Sequence, residues 1–317
     1  MKFWRWGQNL AMSDFQNKAR QATLAMREVF PETPLQHNAH LSEVYQADIW
    51  LKREDLSPVR SYKIRGAFNA MRKVVSASES APVFVCASAG NHAQGVAYIC
   101  QYFGVKGVIF MPVTTPQQKI DKTRMFGGDA VEIQLTGDYF DVTLAAAQQY
   151  CTAHGGHFLS PFDDVDVIEG QASVAVEMIQ QMGKAPDMVI LPVGGGGLSS
   201  GVKKYFDGGT TNIDLRFVEP KGGASLQAAL AEGAPVALPR VDSFVDGAAV
   251  AKIGARTFEV LKNTPVGNVT AIPEDRICTT ILEMLNVEGI VLEPAGALAI
   301  DALLDLRDQV RGKTVVC

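Results

Sequence analysis

Residues 188–201 read MVILPVGGGGLSSG. The first six form a continuous apolar run, the signature of a strand covered on both faces. Four glycines follow, Gly194, Gly195, Gly196 and Gly197, and then a helix-like stretch from Leu198. Consecutive glycines are costly in chain entropy. A purely structural turn is one reading of them. The other is an anion cradle, because a buried strand feeding a glycine turn into a helix start presents backbone N–H groups to a phosphate. No Gly-Lys-Ser/Thr follows, so this is not a P-loop. The Gly-x-Gly-x-x-Gly spacing is missing, and the downstream acid, Glu219, lies beyond the next strand. That argues against a dinucleotide fingerprint.

Outward from this stretch, short apolar runs alternate with helical patterns. Strands are expected at 49–52, 83–87, 107–111, 130–135, 188–193 and 214–218. Helices are expected at 15–30, 139–153, 171–182, 274–287 and 294–310, with another between Thr115-Pro116 and Gly127-Gly128. Such alternation implies parallel βαβ units and an α/β fold. The residues Thr314, Val315 and Val316 read as one more buried strand, and the sequence stops within it at Cys317, as in a truncated piece. There are no internal repeats and no clean linker. The expected division is discontinuous: a larger domain from 1–70 and 160–317, with a smaller one at 71–159.

The 317 residues and 34.1 kDa suit two domains at about 150 residues each. Apolar residues make up 47% and charged residues 20%, which excludes a disordered chain. No apolar run reaches about 18 residues, so no membrane helix is expected. A net charge of −5 weighs against a nucleic-acid or anionic-membrane binder. The opening MKFWRWGQNLAMSDF lacks a signal-peptide core and reads as a short docking arm around Trp4 and Trp6. Five scattered cysteines without a Cys-x-x-Cys pair suit free thiols in the cytoplasm. His37, His40, His92, His154 and His157 show no metal-ligand spacing, and no metal site is expected.

Three further segments carry chemistry. Ser61-Tyr62-Lys63-Ile64-Arg65-Gly66-Ala67 sets a lysine among apolar neighbours, Phe68 included. Desolvation is what lowers a lysine's pKa enough for nucleophilic or base chemistry; a solvated surface lysine is the bland alternative. Ser88-Ala89-Gly90-Asn91-His92-Ala93-Gln94-Gly95 joins the strand at 83–87 to a helical run. Small residues there admit a ligand to free helix N–H groups at a strand's carboxyl end, although Asn91 as a plain N-cap also fits. Glu293-Pro294-Ala295-Gly296-Ala297 opens the last helix, with Pro294 as a start signal and Glu293 as a candidate site residue.

Together, in order and across nearly the whole chain, the four segments resemble the fold type II pyridoxal-phosphate lyases. They are most similar to the serine/threonine dehydratase branch and its biosynthetic threonine dehydratases. The resemblance implies two parallel-sheet α/β domains with pyridoxal 5'-phosphate between them. It implies that Lys63 forms the Schiff base and then serves as base at the substrate Cα. Asn91 would meet the cofactor's ring hydroxyl. Gly194, Gly195, Gly196, Gly197 and the Leu198 backbone would hold its phosphate. Ser88, Ala89, Gly90, Asn91 and His92 would bind the substrate carboxylate, and Phe68 and Glu293 would line the ring pocket. The reaction implied is β-elimination of water from L-threonine, and from L-serine, giving 2-oxobutanoate or pyruvate and ammonia. The cofactor phosphate is the implied proton donor to the leaving hydroxyl. For threonine this is the first step of isoleucine biosynthesis. A homo-oligomer, dimer or tetramer, is implied as well.

The sequence departs from the family in places. Relatives carry a Ser-Gly-Gly segment after the final strand, and a C-terminal regulatory domain; neither lies within these residues. Racemases of the same family carry a serine where this chain has Ala89, so elimination without racemisation is expected. The racemases' divalent-cation site lacks carboxylates here, while a monovalent cation stays open. The rivals are a serine dehydratase or racemase, a non-catalytic cofactor-binding protein, and a nucleotide-binding oxidoreductase.

Overall fold

The computed structural model describes residues 12–209 and 212–317. The Trp4 and Trp6 arm lies outside the described residues. Among the described residues ten strands form two sheets: β1 Leu35–His37, β2 Asp48–Lys52, β3 Val83–Ala87, β4 Lys106–Met111, β5 Val131–Leu135, β6 His157–Phe158, β7 Met188–Pro192, β8 Asp214–Pro220, β9 Val269–Ile272 and β10 Thr314–Val316. The larger sheet runs β1-β2-β10-β7-β8-β9, and the smaller runs β5-β4-β3-β6. All pairs are parallel except β1 with β2.

The expected strands recur with shifts of one or two residues at their ends, and 83–87 matches β3. Three strands escaped the sequence reading. β6 has only two residues and β1 only three, both too short to show a period. The third is β9, which lies beside β8 at the sheet edge. The run at 314–316 is an interior strand, with Val315 paired to Ile49 on one side and Met188 on the other.

Both sheets are packed on both faces, which explains their unbroken apolar strands. Because successive side chains point to opposite faces, Val189, Leu191, Phe217 and Val316 enter one core with the helices Ser173–Met182 and Gly197–Asp207. Their neighbours Met188, Ile190, Val218 and Val315 enter the other, beneath Glu274–Glu288 and Pro294–Asp301. In the smaller sheet Phe84, Cys86, Ile109 and Met111 face Lys63–Ala77 and Asn91–Phe103. Val85, Ala87, Val108 and Phe110 face Phe140–His154.

Three helical expectations need correction. The run 15–30 is helical only over Asp14–Met26 and closes in turns at 27–29. The run 294–310 is broken after Asp301, where hydrogen bonds tighten to i→i−3 from Leu303 to Asp305. Asp301 is also tied sideways to Arg276 Nε at 2.7 Å and Thr280 Oγ1 at 2.7 Å. The run 171–182 is preceded by a separate helix, Val165–Gln171, capped by Asp164 and joined to the next through Ala172.

Candidate active site

The parallel strands aim the chemistry-bearing segments to one place, the carboxyl ends of the sheets. β3 delivers the turn at Ser88, β6 delivers Leu159 to Asp163, and β7 delivers the four glycines. Lys63, the first residue of its helix, faces these turns. Its Nζ donates to the Pro161 carbonyl at 3.1 Å and lies 5.4 Å from the Tyr62 ring centroid. Burial disfavours the ammonium and moves its pKa down to about 8, although the Glu293 carboxylate opposes the shift. A lysine in that range holds a useful neutral fraction near physiological pH.

The Asn91 segment comes next. Gly90 N–H donates to Ser88 Oγ at 3.2 Å, which shapes the turn and ties down the serine hydroxyl. The N–H groups of Asn91, His92 and Ala93, at the helix start, meet no acceptor among the described residues. They are available to an anion. Asn91 Nδ2 donates to Glu293 Oε1 at 2.8 Å, so these two candidates meet across 202 positions. Confinement raises the Glu293 pKa, and the Asn91 bond partly offsets this. His92 is buried, with Nε2–H on the Leu159 carbonyl at 3.1 Å. Burial, reinforced by Lys63, pushes its pKa down to about 3. His92 is therefore a neutral scaffold at working pH.

The glycine turn has the polarity an anion needs. Its carbonyls point away: Gly194 O accepts from Ser225 Oγ at 3.4 Å, Gly195 O from Thr257 Oγ1 at 2.7 Å, and Gly196 O from Ser200 N–H at 2.8 Å. The N–H groups of Gly194, Gly195, Gly196, Gly197 and Leu198 have no acceptor among the described residues. The Leu198 side chain is buried in the core, so only its backbone serves the turn. Glycine is required by contact: a Cβ on Gly195 would lie 2.2 Å from the Phe162 ring. Gly196 has φ +87°, left-handed backbone that side-chain-bearing residues rarely adopt.

One candidate falls outside this assembly. Phe68 is 1% exposed and stacks on Phe103 at 5.9 Å between centroids. Five residues beyond Lys63 along a helix is a rotation of about 140°, so the ring faces the core instead of the turns. Tyr62 is the aromatic beside Lys63. Glu219 is no ribose ligand either. It caps Ser225–Glu232, accepting from Leu226 N–H at 2.6 Å and Gln227 N–H at 3.0 Å, while burial raises its pKa to about 7.

The sequence reading missed the strap from Leu159 to Asp163. Leu159 O holds His92, Pro161 O holds Lys63, and Phe162 covers Gly195 and Gly197. The Asp163 carboxylate caps the helix Ala255–Leu261 through the N–H groups of Ala255, Arg256 and Thr257. A two-residue strand precedes the strap, so nothing local flags it. Thr257 lies 62 positions from Gly195, with no sequence signal at all. Among the described residues no group of three or more His, Cys, Asp or Glu side chains is placed to hold a metal ion.

A lysine of lowered pKa facing an N–H-lined glycine cradle fits an aldehyde-bearing phosphate cofactor. Residues 27–317 match the family of pyridoxal-phosphate dependent enzymes. The chain belongs to that family, and its cofactor is pyridoxal phosphate. Among curated relatives it is 46% identical to the biosynthetic L-threonine dehydratase IlvA of Bacillus subtilis (strain 168), over 292 residues, 92% of this chain and 69% of that protein. It is 44% identical to the protein of that name from Staphylococcus aureus (strain NCTC 8325 / PS 47), over 301 residues, 94% of this chain and 71% of that one. Among solved structures, the processed form of threonine deaminase isoform 2 from Solanum lycopersicum superposes with TM-score 0.87 and 36% identity, covering 96% of this chain and 84% of that one. These likenesses establish the fold type II α/β architecture.

Proposed function

We propose that this chain converts L-threonine to 2-oxobutanoate and ammonia, with L-serine as a second substrate giving pyruvate, as in the first step of isoleucine biosynthesis. The observation that carries the reading is the cradle of unpartnered N–H groups opposite the low-pKa Lys63. The likeness to threonine dehydratases chooses the substrate.

Bound pyridoxal phosphate supplies an electron sink for negative charge at the amino acid's Cα. Lys63 would anchor the cofactor through Nζ; displaced from it by the incoming substrate amine, its neutral amine would take the Cα proton. The glycine-turn N–H groups would hold the phosphate. Glu293 orients the Asn91 carboxamide, which would meet the ring hydroxyl. The turn from Ser88 to His92 receives the substrate carboxylate at the helix start. Ala89 has no group that could move a proton, so the expected product is the oxoacid without D-amino acid. One methyl is worth about 1–3 kcal/mol of discrimination in an apolar pocket, which leaves measurable turnover of serine.

The strands at 83–158 and their helices form the smaller domain, 71–159, set against a larger one from 1–70 and 160–317. The domains meet across the site through Asn91 with Glu293 and Lys119 with Asp246. The chain works as a homo-oligomer, dimer or tetramer. The exposed Leu282 and Leu285, one turn apart, favour such association. It acts in the cytoplasm, in keeping with five free cysteines; no helix of the described residues is long and apolar enough to cross a membrane. Incubation with pyridoxal phosphate and L-threonine tests the activity, with 2-oxobutanoate as the product sought. Light scattering reads the assembly.

A further inference from the structure

We propose that Thr257 is a positioning residue for the cofactor phosphate, acting from behind the glycine turn. The inference rests on the assignment of the phosphate to that turn. Thr257 is fully buried on the short helix Ala255–Leu261. Its Oγ1 lies 2.7 Å from Gly195 O and 3.1 Å from Gly254 O, so the single hydroxyl proton goes to the nearer Gly195 carbonyl. Gly254 N–H adds a longer bond to the same carbonyl, at 3.3 Å.

A peptide unit is rigid, so fixing the Gly195 carbonyl outward fixes the Gly196 N–H toward the cradle. With four glycines in the turn, the backbone's own preferences do little to oppose a peptide flip, so contacts from outside the turn must hold it. Thr257 is itself held on a rigid base. The Asp163 carboxylate accepts from Arg256 N–H at 2.7 Å, Ala255 N–H at 3.1 Å and Thr257 N–H at 3.2 Å. From the same strap, Phe162 lies over Gly195 and Gly197 on their other side. The strap and Thr257 thus grip the turn from two directions. The space behind Gly196 is filled as well, since a Cβ there would lie 2.9 Å from Thr257 Oγ1.

The test compares binding of pyridoxal phosphate with binding of pyridoxal, which has the aldehyde and no phosphate. Thr257→Val keeps the shape and removes the proton donor; Thr257→Ser restores the donor. Equilibrium titration should show Thr257→Val weakening pyridoxal phosphate about tenfold, the worth of one lost buried hydrogen bond, with pyridoxal unchanged. Thr257→Ser should bind both as the unaltered chain does. An undiminished phosphate preference in Thr257→Val, with both affinities unchanged, overturns the proposal. Equal weakening of both ligands also overturns it, since the effect is then general damage. If the unaltered chain binds pyridoxal as tightly as pyridoxal phosphate, the assignment of the phosphate to the glycine turn fails first.

Discussion

Lys63 is where charge, burial and chemistry meet. Its pKa is lowered to about 8, so the neutral amine grows as pH rises through that value. The rate at which the cofactor-free protein takes up pyridoxal phosphate should accordingly climb between about pH 7 and 9, followed by absorbance; a flat profile there would mean that another group sets the rate. The stability sign follows from the same shift. Between about 8 and 10.5 the unfolded lysine binds more protons than the folded one, so folding stability rises with pH across that window. In the cofactor-free protein Lys63→Met removes this burden. Its melting temperature should exceed the unaltered chain's at pH 7, and the gap should narrow by pH 10. Borohydride reduction of the loaded protein should leave a pyridoxyl group on Lys63 and on no other lysine, as read by peptide mass.

At the scale of elements, the strap and the glycine turn behave as one fitted pair. Gly195→Ala pushes a Cβ against the Phe162 ring and should cost about 1–3 kcal/mol of stability, as overpacking does. Adding Phe162→Ala should recover part of that loss, which chemical denaturation of the two variants would show. The Lys63 helix is anchored by a buried ion network. Arg65, fully buried, reaches Glu54 Oε1 at 2.8 Å and Glu177 Oε2 at 2.7 Å, and Lys52 Nζ also meets Glu177 at 2.7 Å. Burial alone would raise the Glu177 pKa, but Arg65 and Lys52 outweigh it and hold the carboxyl at about 2. Its stabilising share is present above the usual carboxylate range and is lost as pH falls toward 2. Arg65→Met takes the ion-pair partner from Glu54 and leaves Glu177 to Lys52 and Arg27; it should cost up to about 3–5 kcal/mol by denaturant titration, and a loss below about 1 kcal/mol would show the network to be dispensable.

How much was legible depended on whether a signal was local. The apolar runs of β3, β4, β7 and β8 and the glycine turn announce themselves within a dozen residues, and so do Lys63, Asn91 and Glu293. Phe68 was misplaced because sequence proximity to Lys63 says nothing of the helix face, which turns away after five residues. Phe162, Asp163 and Thr257 were invisible because their roles exist only once β6 and β7 lie in separate sheets that face one site.

For the molecule as a whole, the site lies where the two sheets' loops face each other, and Lys119 with Asp246 joins the two sides. Closure over substrate should shrink the radius of gyration measured by small-angle scattering with a substrate analogue; identical curves would remove the closing motion. Threonine deamination would rest on a cofactor anchored on Lys63 and cradled by the glycine turn. The most direct measurement is 2-oxobutanoate release from L-threonine by the purified chain with pyridoxal phosphate, run beside Lys63→Ala. The unaltered chain should release oxoacid and the variant none. Equal rates from both, or no oxoacid from a chain whose Lys63 carries the cofactor, would contradict it.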